Sequence, residues 1–117
     1  MQIILREELK KLIDSKADYM LIDVREKEEL QYGMIPSAKN IPLHEIEEAF
    51  SLSDEAFLEK YEFAKPHKED KVIFYCRTGG RSAMATQFAE STGYVHAQNY
   101  AGSIYDWANI DLNVRRY

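Results

Sequence analysis

The 117-residue chain has a single cysteine, Cys76, which excludes an intramolecular disulfide and a cysteine-rich zinc site. Histidine is scarce too. His44, His67 and His96 stand far apart, none at a ligand-like offset from another, so no metal centre is expected. With three prolines and five glycines, no stretch reads as a linker. The longest apolar runs, such as Val72 to Cys76, fall far short of the roughly 20 residues that cross a bilayer, so no membrane span is expected. Residues Met1 to Glu8 show no apolar signal core, and their early acids argue against a transit peptide. The default compartment is therefore the cytoplasm, although a processed mitochondrial protein could carry the same N-terminus. Positive charge is in deficit: 15 Lys and Arg face 20 Asp and Glu, a net charge of -5. That balance excludes binding to nucleic acid or an anionic membrane through a general basic surplus. Any anion must be held locally.

What is present is globular. A 45 % hydrophobic and 30 % charged composition builds one sizeable core, and the length suits one domain over residues 1–117. Leu5, Leu9, Leu12 and Ile13 recur at helical offsets and predict a helix over 6–15. A strand over 19–24, an acidic helical turn over 26–31 ended by Gly33, and a strand over 37–41 between Pro36 and Pro42 follow. A short helix over 44–50 precedes another that starts behind the N-cap candidate Ser53, with Phe57, Leu58 and Tyr61 as its apolar face. Val72 to Tyr75 read as a strand covered on both faces. The next helix starts near Gly80, buries Met84, Ala85, Phe88 and Ala89, and stops at Gly93. A strand over 96–100 and a helix over 104–110 complete the chain. The alternation predicts an α/β fold with a mainly parallel central sheet and helices on both faces.

In such sheets ligands bind beyond the carboxyl ends of the strands, and Cys76-Arg77-Thr78-Gly79-Gly80-Arg81-Ser82 lies there, between a strand and a helix. Gly79 and Gly80 allow backbone angles that curl the loop around the cysteine and turn successive N–H groups inward, a nest for an anion. The helix beginning near Gly80 adds its positive end, and Arg77 and Arg81 add formal charge. Together these favour a thiolate, the nucleophilic form of a group with pKa about 8.5 when free. No histidine is needed, which separates Cys76 from a Cys-His protease dyad.

The chain resembles the rhodanese-like sulfurtransferases over nearly its whole length. The loop Cys76 to Ser82 is similar to the family's active-site loop. Leu21-Ile22-Asp23-Val24-Arg25 with Glu28, then Gly33 to Pro42, and then Asn99-Tyr100-Ala101-Gly102 with Trp107 are similar to its other signatures, in the family's order. The family commonly has His where Met34 stands, Gly at Ser37, and two glycines at Ala101-Gly102. The resemblance implies that Cys76 takes the sulfane sulfur of a small donor such as thiosulfate, releases sulfite, and passes the sulfur from a persulfide to a thiol or cyanide. Arg77, Thr78, Gly79, Gly80, Arg81 and Ser82 would bind the donor, and no cofactor enters the scheme. Phe57, Tyr61, Lys65 and Pro66 look most like small single-domain thiosulfate sulfurtransferases, some of which use glutathione.

Two other activities share this nucleophile. One is a persulfide carrier or regulatory module with little thiosulfate turnover. The other is a phosphatase or arsenate reductase, but those relatives place five residues between Cys and Arg. Here only Arg77, Thr78, Gly79 and Gly80 intervene before Arg81. With no second cysteine, the persulfide must be resolved by another molecule. Asp23 and Arg25 are expected to pair and brace the site, because buried charges need partners. Trp107 is assigned to packing, and the acidic residues Glu45, Glu47, Glu48, Asp54 and Glu55 to a solvated face.

Overall fold

The computed structural model describes residues 1–117. Five parallel strands form one sheet in the order β1-β5-β4-β2-β3. They are β1 (Gln2–Ile3), β2 (Met20–Asp23), β3 (Lys39–Asn40), β4 (Val72–Tyr75) and β5 (Ala97–Asn99). The α-helices are α1 (Arg6–Ser15), α2 (Ile46–Ser51), α3 (Asp54–Tyr61), α4 (Gly80–Ser91) and α5 (Ser103–Trp107), with 3-10 turns over Lys27–Tyr32 and Leu43–Glu45.

Strand β4 lies at the centre, and its four side chains have no exposed surface. Each such apolar side chain contributes roughly 1.5–3 kcal/mol by leaving water. Because strand side chains alternate, Val72, Phe74 and Cys76 join Ile22, Ile41, Phe50, Phe57, Ala85 and Ala89 on the face covered by α2, α3 and α4. Ile73 and Tyr75 join Leu9, Leu21, Tyr100, Ile104 and Trp107 on the opposite face, under α1 and α5. The same alternation that buries Phe74 therefore aims Cys76 toward α4.

Registers bring the carboxyl ends together: Asp23 pairs with Tyr75 and with Asn40, and Phe74 with Asn99. The chain leaves every one of these strands on the same edge, so the segments after Asp23, Tyr75 and Asn99 converge.

Helix ends obey local chemistry. Ser53 Oγ accepts the Ala56 N–H at 3.1 Å and starts α3, and Glu8 accepts the Leu5 N–H at 3.1 Å ahead of α1. Gly93, at φ 100°, follows the end of α4. Two expected core residues are not core. Leu58 is 52 % exposed, because α3 packs through Phe57 and the next position points about 100° away. Met84 is 60 % exposed, because α4 meets the sheet through Ala85 and Ala89. The strand expected over 37–41 shortens to Lys39–Asn40, since Ser37 sits at φ 74°, outside the extended region. This is the position where the family commonly has glycine, and a left-handed non-glycine residue costs about 1–2 kcal/mol. β1, too short to show a period, has no counterpart in the expected elements. Ile4 N–H continues its pairing to the Asn99 carbonyl at 3.1 Å.

Candidate active site

The loop after β4 closes on its own sulfur. Cys76 is 1 % exposed, and its Sγ receives the Gly79 N–H at 3.1 Å and the Ser82 N–H at 3.4 Å, with the Ser82 hydroxyl oxygen at 3.5 Å. Burial pushes the thiol pKa up. The Ser82 hydroxyl and the amides of Ser82, Gly79 and Thr78 pull it down and win, leaving it below the ordinary thiol value. The thiolate is thus stabilised mainly by aimed dipoles.

Gly79 makes the curl possible. It sits at φ 100°, and a Cβ there would lie 2.3 Å from the Ala101 carbonyl oxygen. The turn after β5 therefore forms the wall against which the loop is pressed. Asn99 Nδ2 donates to the Gly79 carbonyl at 3.5 Å, and the same carbonyl accepts the Ala83 N–H of α4 at 3.1 Å. Gly80 opens α4 and has no atom near its missing side chain.

Asp23 and Arg25 form a fully buried ion pair below the loop. Arg25 donates from Nε to Asp23 Oδ1 at 3.0 Å and from Nη2 to Oδ2 at 2.7 Å. The remaining donors reach the Gly33 carbonyl at 2.7 Å, the Glu29 carbonyl at 3.2 Å and the Tyr117 hydroxyl at 3.3 Å. A buried pair with its other groups satisfied is tolerated; removing one partner strands the other charge. This pair anchors the 3-10 turn Lys27–Tyr32.

That turn supplies a partner for the loop. Glu29 accepts from Arg81 Nη1 at 2.6 Å and Nη2 at 3.0 Å, and from the Tyr117 hydroxyl at 2.6 Å. The hydrogen bond from Arg81 holds the Glu29 carboxyl at a pKa of about 2. The glutamate that engages the loop is Glu29; Glu28, quoted in the sequence signature, is exposed. Arg81 is accordingly neutralised by a carboxylate. Arg77 instead lies over the Tyr117 ring, 4.6 Å from its centroid, with Nε buried and without a hydrogen-bond partner. Thr78 is exposed at the loop tip.

Ser103 completes the frame and gave no signal in the sequence. Its Oγ accepts the Cys76 N–H at 3.1 Å and donates to the Tyr100 carbonyl at 2.9 Å, from a residue fully buried at φ 55°. Glu29 and Tyr117 were equally silent, and Asn99 stood in a quoted signature without a site role. Trp107 packs edge-on against Tyr100, and its Nε1 donates to Asp111 at 2.9 Å. Phe57 is core, Tyr61 donates to Glu45 at 2.8 Å, and Lys65 donates to the Leu52 carbonyl at 2.8 Å, so each of these binds the helical layer together. No helix is long and apolar enough to cross a membrane.

A buried, dipole-stabilised cysteine at the carboxyl edge of a parallel sheet, cradled by a loop that opens a helix, defines an α/β class with a loop-held cysteine. Within it, residues 5–110 match the rhodanese-like domain, and the chain belongs to that family. A Schizosaccharomyces pombe protein named as a candidate mitochondrial thiosulfate sulfurtransferase is 46 % identical over 90 residues, 77 % of this chain but 63 % of that protein's length. A human thiosulfate:glutathione sulfurtransferase is 46 % identical over 88 residues, 74 % of this chain and 76 % of its own. The solved structure of a human single-domain sulfurtransferase superposes with a TM-score of 0.89 at 39 % identity, covering 95 % of this chain and 98 % of that one.

Proposed function

We propose that this chain is a single-domain thiosulfate sulfurtransferase with Cys76 as its nucleophile. The supporting observation is the convergence of the Gly79 and Ser82 amides and the Ser82 hydroxyl on Sγ. In the first step the Cys76 thiolate attacks the outer sulfur of thiosulfate. The bond from that sulfur to the sulfonate sulfur breaks, and sulfite leaves with its electron pair. The negative charge passes to the outer persulfide sulfur, which Arg77, Thr78, Gly80 and Arg81 surround by position in the loop, alongside the donors that held the thiolate. An acceptor thiolate then attacks the outer sulfur and regenerates the Cys76 thiolate. No proton, oxidant or cofactor is consumed in either step.

The relatives named for thiosulfate and glutathione support thiosulfate as donor and glutathione as one acceptor; cyanide or a protein thiol would serve by the same attack on the outer sulfur. The four-residue spacing from Cys76 to Arg81 disfavours the phosphatase and arsenate reductase alternatives. Because the acceptor must supply a reduced thiol, we assign the protein to a reducing compartment, the cytoplasm, with the mitochondrial relative naming the competing location.

Intact-mass spectrometry tests the covalent step. Thiosulfate should add about 32 Da, one sulfur atom, to the wild type, a thiol should remove it, and Cys76→Ser should gain nothing. A reduced wild type that gains no mass while hydrolysing an aryl phosphate would overturn the assignment.

A further inference from the structure

We propose that Tyr117 is a positioning residue that holds the Arg77 guanidinium at the cradle for the anionic end of the sulfur donor. The inference rests on the sulfurtransferase reading for the identity of the donor, while its geometry stands independently.

Three arginines surround the loop, and two are already compensated. Arg25 is paired with Asp23 at 2.7 Å, and Arg81 with Glu29 at 2.6 Å. Arg77 alone has no carboxylate partner, and its Nε is a buried donor with nothing to donate to. The net positive charge beside Cys76 is therefore that of Arg77, and a donor dianion meets one uncompensated cation. A flexible arginine side chain needs something to hold it, and the structure sets its guanidinium over the ring of Tyr117, 4.6 Å from the centroid.

Tyr117 is itself fixed from several sides. Its ring stacks on Tyr32 at 4.1 Å with an interplanar angle of 10°. Its hydroxyl donates to Glu29 at 2.6 Å and accepts from Arg25 at 3.3 Å. The segment before it is pinned as well: Arg115 N–H donates to the Tyr32 carbonyl at 3.0 Å, and Val114 is buried. One aromatic side chain thus links Arg77 directly, and Arg81 through Glu29, to the buried Asp23–Arg25 pair. Ring stacking holds a cation without neutralising it, whereas a carboxylate in the same place would compete with the donor.

The test uses the reactivity of Cys76 toward two alkylating agents of nearly equal size, anionic iodoacetate and neutral iodoacetamide, followed by intact mass at one pH. Their rate ratio cancels the thiolate fraction and general access, so it isolates charge guidance. Arg77→Gln should lower the ratio, and Tyr117→Leu should lower it about two- to fivefold, the range for a partly exposed cation–ring contact. The double variant should be no lower than Arg77→Gln alone, since both remove one interaction. Tyr117→Phe keeps the ring and its packing and should stay near the wild type. In turnover, Tyr117→Leu should raise KM for thiosulfate and leave kcat unchanged. A wild-type ratio in Tyr117→Leu, or additive losses in the double variant, would overturn the proposal. A Tyr117→Phe ratio as low as that of Tyr117→Leu would do the same. A wild type that forms no persulfide would sink the sulfurtransferase reading instead, and the alkylation ratio would still decide the role of Tyr117.

Discussion

The two ends of the central sheet differ in how they present polar groups. At the amino ends of β2, β4 and β5 lies a cavity of about 570 Å³, whose lining includes Asp18, Glu69, Asp70, Lys71 and His96. Four of the five are exposed side chains of mixed charge and Lys71 is half-buried; Asp70 spends its carboxylate on the His67 N–H at 2.7 Å. At the carboxyl ends, by contrast, backbone amides on a curled loop converge on one buried sulfur. What matters is whether donors have been oriented by folding, so that no reorganisation is left for the reaction.

The contrast can be broken at Gly79. Gly79→Ala forces a Cβ against the Ala101 carbonyl at an angle that penalises any side chain, which should displace the amide from Sγ. Sulfite release should fall about 10²–10³-fold, the effect of losing one preorganised donor, with a stability loss of about 1–3 kcal/mol by denaturant titration. Next in size is Ser82→Ala. It removes the hydroxyl that helps hold the thiolate, so the midpoint of the alkylation rate against pH should move up toward that of an ordinary thiol.

Glu29→Gln has a smaller, pH-confined effect. The Glu29 carboxyl titrates near 4.5 when unfolded and at about 2 when folded, where Arg81 holds it ionised. A depressed folded value means that its contribution is complete above pH 4.5 and is lost as the pH falls toward 2. Wild-type stability should therefore decline more steeply through that window than the stability of Glu29→Gln. The smallest effect belongs to the other end of the sheet. His96→Ala should leave sulfur transfer unchanged and stability within about 0.5 kcal/mol. A large activity loss there would mean that the amino-end cavity takes part after all.

The part of the site written in contiguous residues was legible in the sequence. A cysteine ending an apolar strand, two glycines and a helix start are local signals, and the structure has the loop where they predict it, with its amides turned onto Sγ. The frame behind the loop was not legible, because it is assembled across long separations. Ser103 meets Cys76 from 27 positions away, Glu29 meets Arg81 from 52, and Tyr117 meets Glu29 from 88. Nothing in a neighbouring residue marks such partners. The arginines show the same limit: their residue type suggested two free charges over the sulfur, whereas the long-range Glu29 contact compensates one of them. The helical faces failed at Leu58 and Met84 for another reason. Periodicity gives the direction of an apolar stripe but not its width, and both residues fall at its edge.

The tie between Cys76 and α5 bears on how a buried sulfur meets its substrates. The Cys76 N–H ends on Ser103 Oγ, the Cys76 carbonyl accepts from the Ile104 amide at 3.1 Å, and the Arg77 carbonyl accepts from the Tyr105 amide at 3.0 Å. These bonds join the loop to a helix of five residues whose Ser103, Ile104 and Trp107 are themselves buried, the last two in the same apolar cluster as Leu21 of β2 and Ile73 of β4. Loop and helix are therefore coupled, and a change that unsettles α5 is felt at the loop. The sulfur is thus placed twice over: amides of its own loop grip Sγ, while a helix 27 positions downstream grips its backbone, so its position is fixed by side chain and main chain independently.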